Sequence, residues 1–326
     1  MKSTLFIIVS LFLIGPAFAD DSVFLDPPYS PALKKATRLK KIETVNAGTF
    51  KALESVAVDH LQTALLQTPV KSQGRRGTCS IFSSTAVLEY LLKKEGITSG
   101  DWDLSEQWLE YITAGQRGSE GSWSYYNFDR YGDYGYLFEE DWSYNPLSWH
   151  PYDESYWQFS ATELEKQLFA QACAPLQGTF RFEGCLIGQQ NPDYLDMEAD
   201  QLLQVEPNFF ELRSKAKNHL QSELGNLKIH SESVWSNTDV LDHLDRGEVV
   251  ALDVTFFYEA WNHGKALELG LSRDVDMLNQ GVVSYPHPSS MDYKKSREPE
   301  VAAGHSIVLV GYDLDKEIER EVLDHN

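Results

Sequence analysis

The chain has 326 residues, with 28 Lys+Arg against 49 Asp+Glu and a formal charge of −21 at neutral pH. A carboxylate surplus of this size repels a phosphate backbone and argues against nucleic-acid partners. The 42 % apolar and 12 % aromatic content supplies material for a packed core and argues against disorder. The length fits about one to two domains at the usual ~150 residues each.

Residues 1–19 read as a secretory signal peptide. Lys2 gives the positive start, residues 5–14 are apolar apart from Ser10, and Ala17-Phe18-Ala19 is a small-x-small cleavage site before Asp20. The apolar run is about half the length that spans a bilayer, so the expected product has no membrane anchor after cleavage. It is secreted or periplasmic, or sent to an acidic organelle. Residues 20–64 form an N-terminal extension in which Pro27, Pro28 and Pro31 precede a basic cluster of Lys34, Lys35, Arg38, Lys40 and Lys41. Two readings stand for it: a pro-segment docked on the acidic body, or a solvated arm.

Export bears on the cysteines. Cys79, Cys173 and Cys185 leave one over if two pair. Cys173 and Cys185 flank a Pro- and Gly-containing loop and form the expected disulfide, which makes Cys79 the odd thiol. Pro69, Gly74 and Gly77 disfavour a helix before Cys79, and the sequence after it is helix-compatible as far as Gly96. Cys79 is therefore expected at a helix N-terminus, where unpaired N–H groups and the macrodipole favour the nucleophilic thiolate. Ile81, Phe82, Val87, Leu88, Leu91 and Leu92 would anchor that helix.

The stretch Thr68-Pro69-Val70-Lys71-Ser72-Gln73-Gly74-Arg75-Arg76-Gly77-Thr78-Cys79-Ser80 resembles the active-site segment of the papain-like cysteine peptidases, with a glutamine six residues before the nucleophile. The resemblance implies that Cys79 attacks a peptide carbonyl and that Gln73 and the Cys79 amide form an oxyanion hole. Arg76 stands where the family has its first cysteine, which removes one common disulfide. Ser80 replaces an aromatic residue and is expected to loosen packing. Asp103-Leu104-Ser105-Glu106-Gln107 is similar to a family helix start. Gly121-Ser122 and residues 131–144 are similar to a wall of the substrate cleft, which implies Gly121 and Ser122 as substrate-binding residues.

Nine histidines compete for the proton-carrying role. His60, His219, His230, His243 and His325 lie in polar or helical stretches and read as surface residues. His150, His263 and His287 lie in aromatic or Pro-rich loops without a recognisable context. His305 opens Gly304-His305-Ser306-Ile307-Val308-Leu309-Val310-Gly311-Tyr312, a run that reads as a strand buried on both faces. Here the resemblance implies that His305 is the general base and acid, with Gly304 beside substrate. The family's third residue, an asparagine followed by Ser-Trp, has no counterpart. Asn326 is the asparagine that follows His305, it lacks that context, and the expectation is a chain missing the last strands of its sheet lobe.

Cys79 and His305 are 226 residues apart, more than the ~130–150 of the family example, so an insertion at about 146–218 is expected. The aromatic density before it, six of the eight tryptophans between residues 102 and 157, reads as core and cleft-wall packing rather than as a glycan platform. The expected architecture is α+β: a helical lobe (about 65–145) and a β-barrel-like sheet lobe (about 219–326) in a papain-like two-lobe fold with the cleft between them. No zinc, nucleotide or calcium motif is present, so no metal or cofactor is expected. The partners expected are peptide or protein substrates. The alternatives are a non-catalytic peptide-binding homologue and a cell-wall amidase.

Overall fold

The computed structural model describes residues 4–10, 60–74, 76–97, 102–114, 122–146, 192–224, 228–233, 237–279 and 281–312. Most of the extension, Gly121, Cys173, Cys185, His150, His325 and Asn326 lie outside them, and with them the expected disulfide.

The helices follow local chemistry. A short α1 (His60–Leu65) precedes the Gly-rich loop. Helix α2 (Cys79–Lys94) begins where the glycines end and buries Ile81, Val87, Leu88, Leu91 and Leu92. Lys93 and Lys94 oppose the negative end of its dipole, and Gly96, at φ +68°, ends it in the left-handed region. Helix α3 (Glu106–Ala114) carries a glutamate in its first turn. Helix α4 (Ser124–Tyr134) stops at Gly135, which has φ +75°. A Cβ there would lie 2.0 Å from the Ala216 carbonyl oxygen, so only glycine permits the next helix layer to dock.

That layer comes from the region read as an insertion. Helices α5 (Ala199–Val205) and α6 (Pro207–His219) bury Leu202, Phe209 and Ala216 in one core with Trp108, Tyr111, Phe128 and Tyr131. The described part of the insertion is thus structural. Phe209 meets Tyr111 edge-on at 5.3 Å and Trp142 at 6.2 Å, so this aromatic density is core packing.

Four strands form one open mixed sheet in the order β2-β1-β3-β4: β1 (Thr4–Ser10), β2 (Lys228–Ser233), β3 (Val250–Thr255) and β4 (Gly304–Leu309). The sheet does not close, so the barrel-like lobe expected from the sequence is not seen among the described residues. The apolar segment read as a leader pairs in parallel with β2 and β3. Strands β3 and β4 are antiparallel, with Asp253 opposite Ser306 and Thr255 opposite Gly304. The two-residue period sends Ala251 to the helical core, while Val250 faces Leu244 of α7 (Asn237–Asp245). The run read as a strand buried on both faces is an edge strand whose side chains, apart from the buried Ser306, are exposed or half-buried.

Residues 256–303 leave β3 and return to β4 as an excursion with its own cluster of Phe256, Tyr258, Ala266, Leu271 and Ala303. It includes the short helices α8 (Lys265–Glu268), α9 (Val275–Asn279) and α10 (Met291–Lys295). Among the described residues no helix is long and apolar enough to cross a membrane.

Candidate active site

Cys79 carries a free thiol at the first position of α2, where the helix packs across β4. Three backbone N–H groups favour its anion: that of Ser306 on β4, that of Ser80 and its own. Burial outweighs them and pushes the thiol up to about 11, with the carboxylate of Asp253 adding to the rise. The expectation that the helix terminus yields a thiolate is thereby corrected. The local dipole favours the anion, but desolvation of the sulfur favours the thiol and prevails, although the residue as a whole is half-buried.

The residue beside Ser306 is His305. Its ring is seated edge-on against Trp261, with centroids 5.2 Å apart, and against Phe256 at 5.7 Å. Burial lowers the imidazole to about 4, and the neighbouring His263 lowers it further. Nδ1 of His305 is buried without a hydrogen-bond partner, so the ring is not bonded to the sulfur through that atom. Thiol and imidazole are therefore both neutral at neutral pH.

Among the described residues no asparagine orients the imidazole. Asn262, between Trp261 and His263, is buried with φ 55°, but its side chain is committed to the loop: Oδ1 accepts from the Asp274 N–H at 2.8 Å and Nδ2 donates to the Val282 carbonyl at 3.4 Å. The aromatic edges of Phe256 and Trp261 do the orienting.

The loop before Cys79 is fixed from below. Gln73 is buried, and its Nε2 donates to the Arg76 carbonyl at 2.7 Å, which uses one of its two amide hydrogens. Arg76 is fully buried. Its Nη1 donates to Gln107 Oε1 at 2.9 Å and to the Asn145 carbonyl at 2.8 Å, its Nη2 lies 3.6 Å from Glu110, and its guanidinium covers the Tyr144 ring. A charge-assisted clamp thus holds the loop before Cys79. Lys71 holds Glu89 at 2.8 Å, Asp103 at 2.6 Å and Glu106 at 2.7 Å. One ammonium cannot offset three carboxylates, and burial pushes Glu106 up to about 8 despite that pairing.

Behind the sulfur lies a bonded polar layer. Ser80, expected to loosen packing, instead accepts the Ser122 N–H at 3.0 Å, and Asn127 Nδ2 donates to the Ser80 carbonyl at 2.8 Å. Ser122, expected beside substrate, spends its hydroxyl on Asn127 and Ser80. Gly304 is exposed at the start of β4 with open space where a Cβ would stand. Two of the histidines read as surface residues, His60 and His243, are buried. Sequence reasoning did not single out Asp253, Phe256, Trp261 or His263. The signal available was the aromatic run Phe256-Phe257-Tyr258 and Trp261 directly after a strand. No protein-family model matches the chain, and no curated protein is significantly similar to it.

Proposed function

We propose that the chain is an exported papain-like cysteine endopeptidase of two lobes, with peptides held extended between the helical half and the sheet half. One juxtaposition supports the reading: Cys79 opens α2 with its sulfur under the Ser306 amide, and the adjacent residue is His305 on a facing strand. Because both groups rest neutral, the proton passes from sulfur to imidazole as attack begins. The sulfur bonds to the carbonyl carbon, the oxyanion takes hydrogen bonds from the Gln73 amide and the Cys79 N–H, and His305 returns the proton to the departing amine. Water, deprotonated by His305, cleaves the thioester, releases the acid and restores the thiol.

The test is hydrolysis of an unfolded protein substrate by the full chain and by Cys79→Ser, with mass spectrometry to trap the acyl-thioester. Hydrolysis lost in Cys79→Ser, with the acyl group found on Cys79, is the expected result. Hydrolysis that survives the substitution overturns the reading. A second reading, a peptide-binding homologue without turnover, draws on the neutral pair and the absence of an orienting amide among the described residues. Saturable peptide binding with no cleavage at any pH favours it. Export with cleavage after Ala19 removes β1 and leaves β3–β4 to carry His305, and a mature N-terminus at Asp20 is the expected sequencing result.

A further inference from the structure

A carboxylate that acts on the sulfur has no part in the chemistry above, yet its hydrogen bonds tie β3 to α4 and β4 and, through Ser306, to α2. Asp253 on β3 accepts the Ser124 N–H at 3.2 Å and the Ser124 hydroxyl at 2.9 Å from α4, and also the hydroxyl of Ser306 on β4. Ser306 lies 2.6 Å from the Ser83 hydroxyl of α2 and 3.1 Å from that of Ser124. A carboxylate only accepts, so Ser306 and Ser124 donate to Asp253, and the one Ser83 hydroxyl proton is shared between Ser306 and the Ser80 carbonyl, 3.2 Å away. The residue so gripped, Ser306, is the one whose main-chain N–H caps the Cys79 sulfur. Ser83, Ser124 and Ser306 are all buried, so the relay is shielded from water.

We propose that Asp253 is a positioning residue for the nucleophile: through Ser306 it fixes the amide that caps the Cys79 sulfur, and its buried negative charge sets the pH at which that sulfur becomes reactive. The proposal rests on the reading of Cys79 as the nucleophile, but not on peptide hydrolysis. The titratable groups around the sulfur are few. Strand β3 presents Asp253, β4 presents His305 with His263 of the excursion behind it, and the faces of α2 and α4 next to the sulfur present serines. Among the described residues Asp253 is thus the one anion in this set, and it acts against thiolate formation, as burial does. The carboxyl is itself raised by burial, and the serine donors act to keep it ionised.

The experiment titrates the ultraviolet thiolate absorbance of the full-length protein, with Cys79→Ser as the blank. Asp253→Asn keeps the shape and removes the charge, and it is expected to move the Cys79 midpoint down by about one pH unit, or about tenfold more thiolate at a given pH. Asp253→Glu keeps the charge and is expected to hold the midpoint near that of the parent. A merely structural carboxylate would lower thermal stability in both variants and leave the midpoint in place. Should Asp253→Asn not fold, Ser124→Ala withdraws a hydroxyl that offsets part of the carboxylate's charge, and the midpoint is expected to rise, with about twofold less thiolate at a given pH. An unchanged midpoint in whichever of these two variants folds overturns the proposal. A shifted midpoint without peptide hydrolysis overturns the peptidase reading and leaves this one standing.

Discussion

At Cys79 two principles oppose each other, and the outcome fixes a measurable pH profile. Backbone amides and the helix dipole favour the anion, and desolvation favours the thiol and wins. Iodoacetamide should therefore modify Cys79 slowly at neutral pH, with a rate that climbs toward a midpoint of about 11. A plateau reaching down to acid pH would reveal a preformed thiolate–imidazolium pair and contradict the neutral one. The position of Cys79 was legible because Pro69, Gly74 and Gly77 are local stop signals; its acidity was not, because burial comes from β4, more than two hundred residues away. The same holds at His305. The strand was legible from its β-branched run, whereas the Trp261 and Phe256 edges that seat the ring arrive by tertiary folding. Replacing Trp261 with Ala should let the imidazole swing, lowering turnover about 10- to 100-fold, with KM much less affected. Steady-state kinetics separates that outcome from a loss of peptide affinity.

Among elements, the loop from Thr68 to Thr78 is held by ions rather than by a covalent bridge. Removing one partner of a buried pair weakens the hold on the other, so Arg76→Met should cost about 3–5 kcal/mol by taking a buried positive charge from Glu110, Gln107 and the Asn145 carbonyl. Denaturant unfolding measures it, and adding Glu110→Gln should recover part of the loss. The Lys71 cluster supplies a pH dependence of definite sign. Glu106 binds its proton more tightly folded, at about 8, than in an unfolded chain near 4.5. The folded state is therefore favoured at low pH, and this contribution falls away as pH rises through that window. Thermal stability of the parent should fall relative to that of Glu106→Gln between about pH 5 and pH 8; parallel curves would refute the assignment. The sequence marked Glu106 as a helix start, but nothing in it announced that Glu89, Asp103 and Glu106 share one lysine, since their meeting depends on how α2 and α3 cross.

For the whole molecule, the α+β class and the strands that follow the helices were legible from hydrophobic periodicity, whereas the strand that opens the chain and the docking of α5 and α6 into the main core were not. That docking depends on the absent side chain at Gly135, a packing relation with no periodic signature. The excursion at residues 256–303 escaped notice for a related reason, since its cluster is assembled from both of its ends. Phe256 donates its N–H to the Ala303 carbonyl at 2.9 Å, so the excursion's stems are pinned together where β3 ends and β4 begins. No tight turn joins these strands, so their register is dictated by how the excursion closes. Successive strand residues face opposite ways, and at present Ser306 meets the helices while His305 meets Phe256 and Trp261. A single alanine inserted after Ala303 would slip that register by one and exchange the two faces. Cys79-dependent hydrolysis should then vanish, although every residue of the candidate site is still encoded.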